Sequence, residues 1–147
     1  AISLVQAALP GMQERKFGRI VMMSSRGALG LPTRTAYSAT KAGMVGMART
    51  WSLELAPYGI TVNVVAPGPI LTHHLEAAGP EAQRQAGLAT PMRRIGRVEE
   101  VAEVVSWLCS EGASFITGAV LPIDGGQSAG NKIQNLYRQG EPMRAQG

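Results

Sequence analysis

Two short apolar runs, held apart by one long helical stretch, constrain this chain more than any other feature. Gly18-Arg-Ile-Val-Met-Met-Ser24 is almost wholly apolar and follows a polar turn, and Ile60-Thr-Val-Asn-Val-Val-Ala66 is rich in β-branched side chains. Apolar runs of this length suit strands buried on both faces of a parallel sheet. Parallel neighbours need a crossover between them. The intervening residues supply it: helical spacing runs from Thr35 through Tyr37, Lys41, Met44, Met47, Trp51 and Leu55, until Pro57 and Gly59 break it.

The rest of the chain extends the same alternation. Ile2 to Met12 has helical apolar spacing, with Pro10 as a kink rather than a stop; its first turn lacks a capping residue, so the true helix start is expected upstream. Val98 to Ser110 reads as a helix, with Glu99 and Glu100 suited to its positive N-terminal end. Thr117 to Asp124 reads as a last strand, and Pro122 within it predicts an edge position. The pattern indicates part of a doubly wound α/β layer, although helices on both faces call for more strands than this chain supplies. Leu71 to Gly96 is polar and broken by Gly79, Pro80, Gly87 and Pro91, which suggests a mobile flap over a site.

Composition excludes several functions. With 147 residues, 45% hydrophobic and 16% charged, the chain suits one globular domain with a real core. No apolar run reaches the roughly 20 residues that span a bilayer, and no basic-then-apolar leader opens the chain; a cytoplasmic protein without a membrane partner is expected. The formal charge of +4 invites a polyanion, yet the basic residues are scattered singly and aromatics make up only 5%, so no nucleic-acid partner is expected. No cluster of His, Cys and carboxylates suggests a metal. Cys109 lies in an apolar helical stretch and is expected to be a buried small hydrophobe.

Tyr37 and Lys41 carry the chemistry. Four-residue spacing on a helix stacks the phenol and the ammonium on one face. A cation about 4 Å from a phenol favours the phenolate by roughly 4 kcal/mol at an effective dielectric of about 20, which draws the group down from its usual value of about 10 toward neutrality. The residue could then act as a general acid or base. Ser24 and Ser25 lie at the C-terminal end of the first strand, where open α/β sheets place their ligands. His73 and His74 read as exposed flap residues, because no Gly-x-Ser-x-Gly elbow exists to expose a nucleophile for them.

With these elements in order, the chain resembles the short-chain dehydrogenase/reductase family from Ala1 to about Gly126. The matching stretches are Gly18-Arg-Ile-Val-Met-Met-Ser-Ser25, Ala36-Tyr-Ser-Ala-Thr-Lys-Ala-Gly43, Gly59-Ile-Thr-Val-Asn-Val-Val-Ala-Pro-Gly-Pro69, and Ile116-Thr-Gly118 through Asp124-Gly-Gly126. The resemblance implies the C-terminal part of a doubly wound, parallel-sheet Rossmann fold, its nucleotide-binding half missing. Residues 1–126 would form the catalytic half and 127–147 a flexible tail. It implies an NAD(P)-dependent oxidoreductase that interconverts a small-molecule alcohol and carbonyl by hydride transfer, with NAD or NADP as cofactor. Ser25, Tyr37 and Lys41 would be catalytic. Ser24, which stands at the more usual family distance before Tyr37, is the alternative to Ser25. Tyr37, Lys41, Pro67, Gly68, Ile70 and Thr72 would face the cofactor. A homodimer or homotetramer is implied at full length, with Ala39, Ala42 and Gly46 small enough for close helix packing. A truncated binding module without turnover, and a sugar epimerase or dehydratase on the same kind of fold, are the competing readings.

Overall fold

The computed structural model describes residues 1–129. The segments Asn131 to Asn135 and Tyr137-Arg138, part of the expected flexible tail, lie outside the described residues. Three strands, β1 (Gly18–Met23), β2 (Ile60–Pro67) and β3 (Val120–Ile123), form one parallel sheet in the order β1-β2-β3. Gly18 stands opposite Ile60 and Met23 opposite Val65; on the other side Val64 faces Val120 and Pro67 faces Ile123. Helix α1 (Ile2–Glu14) runs straight through Pro10 into β1, α2 (Thr35–Leu55) crosses from β1 to β2, and α5 (Val98–Leu108) leads toward β3. Between β2 and α5 lie the short helices α3 (His73–Ala77) and α4 (Pro80–Leu88).

Strand β2 organises the core because its side chains alternate between the two faces. Val62 and Val64 pack with Met22, Ala48, Leu55 and Ile60 under α2 and α1. Val65 points the other way, onto Leu108 and Ala113 beside α5. Both faces therefore carry helices despite the short sheet, contrary to the expectation from strand number. One helix per face is enough to cover a single central strand.

The edges show the cost. β2 is buried from Ile60 to Ala66, whereas β1 was expected to be buried on both faces and has only Gly18 and Met22 buried, with Met23 46% exposed. With a strand neighbour on one side only, β1 lacks the flanking layer that a doubly buried strand requires. Pro122 does lie on an edge strand, β3, which pairs with β2 alone.

Residues 117–119 do not join β3 as expected, because Gly118 takes φ +74 and interrupts the extended run. They are laced to β2 by other means. The Val62 N–H donates to Thr117 Oγ1 at 3.0 Å, and the Gly118 N–H donates to the Val62 carbonyl at 2.7 Å. Asn63, fully buried, donates from Nδ2 to the Ile116 carbonyl at 2.8 Å and accepts the Ala119 N–H on Oδ1 at 3.1 Å. Helix α5 ends at Leu108, so Cys109 falls past its buried stripe and is exposed, not buried as expected. On α2, Ala39, Ala42, Gly43 and Gly46 form an exposed small-residue face, with open space beside both glycines.

Replacing Asn63 by Ala strands the Ile116 carbonyl and the Ala119 N–H in the interior. Asn63→Ala is expected to lower stability by about 2–4 kcal/mol, since each unsatisfied buried group costs about 1–3 kcal/mol. Urea unfolding checks this, and an unchanged midpoint would contradict it.

Candidate active site

The two serines at the tip of β1 take different roles. Ser24 continues the ladder, its N–H donating to the Val65 carbonyl at 2.9 Å, and its side chain is buried against α2. There its hydroxyl donates to the Lys41 carbonyl at 2.8 Å, so its proton is committed. Ser25 is extended, with φ −164 and ψ 156, and caps the 3₁₀ turn of Arg26 to Leu29: its Oγ accepts the Gly27 N–H at 3.0 Å. An accepting hydroxyl keeps its own proton for another partner. Ser25 lines a cleft and Ser24 does not.

Tyr37 sits in the first turn of α2, 42% exposed, and lines the same cleft. Its ring rests on Gly27, where a Cβ would stand 2.8 Å from Tyr37 Cε1 and 3.4 Å from Ser25 Oγ. Glycine at that position is what allows the ring and the serine to share one pocket. Lys41, one turn further along α2, has its Nζ 5.7 Å from the centre of the Tyr37 ring. The same ammonium donates to the Met23 carbonyl at the end of β1, at 2.9 Å. Lys41 is therefore behind the tyrosine and not among the residues that line the cleft.

The cleft encloses about 510 Å³. Pro67, Gly68 and Pro69 form its wall at the end of β2. Gly68 is demanded by packing: a Cβ there would come within 2.7 Å of Asp124 Cβ and 2.8 Å of Asp124 Cα. Asp124 is buried and accepts the Gly126 and Ser128 N–H groups, at 3.0 and 2.8 Å, which fixes the turn that carries Gln127 into the cleft.

The expected flap is more structured than its composition suggests. It contains α3 and α4, and its two ends are joined by an isolated parallel bridge between Ile70 and Gly96. The Gly96 N–H donates to the Pro69 carbonyl at 3.0 Å and the Leu71 N–H to the Gly96 carbonyl at 2.8 Å. Thr90, buried, ties the far end together by donating to the Gly87 and Arg94 carbonyls, each at 2.9 Å. Ile70 and Thr72 lie outside the cleft lining; Thr72 begins α3 without a side-chain cap bond. His74 is exposed, as is His73, and contributes to the cleft from the flap side.

Glu100 holds the flap's exit. Its carboxylate receives both Nη groups of Arg94, at 2.8 and 2.6 Å, and the Arg97 N–H at 2.7 Å, at the start of α5. The Arg94 hydrogen bonds, followed by that of the Arg97 backbone, pull the Glu100 carboxyl down from 4.5 to about 2. Among the described residues no three His, Cys, Asp or Glu side chains group as a metal site, and no helix is long and apolar enough to cross a membrane.

Of the residues singled out from sequence, the cleft gathers Ser25, Tyr37, Pro67 and Gly68, and Lys41 backs them. Four further cleft residues carried no signal. Gly27 and Arg26 fall in the loop after the first strand, and neither they nor Arg34 and Gln127 were assigned a role from sequence. The spacing did offer a cue: Arg34 precedes Tyr37 by three residues, one helical turn on the same face.

A parallel sheet with helices on both faces and a cleft at the carboxyl ends of its strands defines a doubly wound α/β protein, with the cleft where such folds place their ligands. The chain belongs to the short-chain dehydrogenase/reductase family. The family profile described as Enoyl-(Acyl carrier protein) reductase matches residues 1–128. The 3-oxoacyl-[acyl-carrier-protein] reductase MabA of Mycobacterium tuberculosis is 44% identical over 132 residues, covering 89% of this chain and 53% of its own. The crystal structure of a 3-oxoacyl-[acyl-carrier protein] reductase from Brucella melitensis superposes with a TM-score of 0.81 at 37% identity, over 85% of this chain and 47% of that one. ElxO with NADP bound gives a TM-score of 0.81 at 35% identity, over 86% and 52%. The chain thus spans about half the length of the relatives it matches.

Two outcomes follow from this geometry. A methyl group at Gly27 must displace the Tyr37 ring, so Gly27→Ala is expected to shift the ring proton resonances of Tyr37 while leaving those of Tyr58 in place. A carboxyl held at about 2 rather than 4.5 stabilises the fold fully above the higher value and loses that contribution as pH falls toward the lower one. Thermal unfolding against pH is therefore expected to show a shallower acid limb in Glu100→Gln than in the parent chain; identical limbs would contradict it.

Proposed function

We propose that this chain is the catalytic half of an NAD(P)-dependent oxidoreductase that interconverts an alcohol and a carbonyl, with Tyr37 as the general acid or base, Ser25 as the hydroxyl that holds the substrate oxygen, and Lys41 as the cation behind the phenol. One observation carries the reading: Tyr37 and Ser25 meet across Gly27 in one cleft, and the Ser25 proton is free to donate there. The same hydrogen bonds favour Ser25 over Ser24, whose proton already goes to Lys41. Proton transfer by Tyr37 and a hydrogen bond from Ser25 would both strengthen as charge develops on a carbonyl oxygen that accepts hydride.

The residues present fit a nicotinamide at the end of β2. In a parallel bridge the flanking residues make the bonds, so Ile70 turns its own N–H away from Gly96, and that N–H has no backbone partner among the described residues. It is a ready donor for a carboxamide. The walls formed by Pro67, Gly68 and Pro69 bring further backbone to the cleft, and Thr72 keeps its hydroxyl free of a cap bond. Bound NAD or NADP would supply or take up the hydride, as implied by a relative crystallised with NADP. The chain's own part is to seat the substrate oxygen between Ser25 and Tyr37 and to move the proton.

The names of the relatives point to a small oxo compound or its thioester as substrate. The exposed face of α2, with Ala39, Ala42 and Gly46, suits pairing with a second copy in a homodimer. In this chain fused to the N-terminal half of such a relative, Tyr37→Phe is expected to lower kcat for NADPH-dependent carbonyl reduction by about 10²–10⁴-fold with an unchanged circular dichroism spectrum. Ser25→Ala should lower kcat in the same assay, whereas Ser24→Ala should act mainly on the unfolding midpoint. Parent-level turnover in Tyr37→Phe would end the reading.

A further inference from the structure

Resting on the carbonyl-reducing reading of the cleft, we infer that its substrate carries a small anionic group, a carboxylate or a phosphate, held by Arg26 and Arg34. Both arginines line the cleft, one directly after Ser25 and the other one helical turn before Tyr37. Among the described residues neither guanidinium has a hydrogen-bond or ion-pair partner, whereas Arg19, Arg84, Arg94 and Arg97 are each paired with a glutamate. Among the described residues, no aspartate or glutamate lines the cleft. Two cations in a concavity whose described lining carries no carboxylate raise the local concentration of anions and present planar, bidentate donors that match a carboxylate or phosphate.

The placement also limits the size of the ligand. A volume of about 510 Å³ suits a small molecule rather than a protein surface. The remaining walls, including Leu31, Ala86 and Ala89, are apolar and suit a short carbon chain between the reacting carbonyl and the anionic end.

Titrating the 147-residue chain with a small oxo acid, its amide and its neutral N-acetylcysteamine thioester, followed by amide NMR shifts, separates these cases. An oxo phosphonate serves as the phosphate arm. The acid or the phosphonate is expected to shift the amides of Arg26, Arg34 and Tyr37 and to bind at least about tenfold more tightly than the amide, with Arg26→Gln and Arg34→Gln each weakening it about tenfold. Added salt should weaken the anion and leave the amide unchanged. Equal binding of acid and amide, tighter binding of the thioester, or no binding of either anion would overturn the assignment. Tyr37-dependent reduction of neutral ketones, with the acid no better, would remove the anion site and keep the oxidoreductase. Selective anion binding without any carbonyl reduction would do the reverse.

Discussion

A pair of hydrogen bonds running in opposite directions holds the end of β1 to the second turn of α2. Ser24 donates its hydroxyl to the Lys41 carbonyl, and Lys41 donates its ammonium back to the Met23 carbonyl. Strand and helix are thereby fastened one turn behind Tyr37. Without this fastening, the tyrosine would ride on a helix start that has no side-chain cap. With it, the ring is fixed on Gly27 and over Ser25, and neighbouring serines divide the labour: one anchors and the other remains available.

The fastening works because the sheet beneath it is rigid where it matters. β2, buried along nearly its whole length, is covered on one face by α2 and on the other by α5, and it ends at the cleft wall of Pro67 to Pro69. Asn63 extends that rigidity sideways by lacing residues 116–119 to the strand. The turn after β3, fixed by Asp124, completes the wall. Ser25, Gly68 and Pro69 thus lie one or two positions beyond a strand end, and moving them would need the sheet itself to move.

Much of this was legible in the sequence, for reasons that can be located. The α2 span from Thr35 to Leu55 follows from apolar spacing and from the Pro57-Gly59 stop, and both β1 and β2 follow from their apolar runs. Burial was less legible. A run such as Ile20 to Met23 states that a strand is apolar, not how many neighbours it has, so β1 was misjudged as fully covered. Cys109 was misplaced because helical periodicity gives no warning of where the last turn ends. The different bonding of Ser24 and Ser25 was not legible either, since the direction of each hydroxyl's bond depends on partners that the tertiary fold brings there. Gly27 was invisible because its meaning is the close approach of a ring brought there by a different element.

The bridge between Ile70 and Gly96 brings both feet of the flap to one point on the scaffold. What lies between those feet touches the scaffold again where the Met92 N–H donates to the Gly125 carbonyl at 3.2 Å, but α3 and α4 can change in length at little entropic penalty, since closure of such a loop depends only weakly on its length. The fold thus keeps Ser25 and Tyr37 next to β1 and on α2, and the far wall of the cleft on an insertion. A lineage of such proteins could diversify what it accepts by rewriting residues 71–95 while the chemistry underneath stays unaltered.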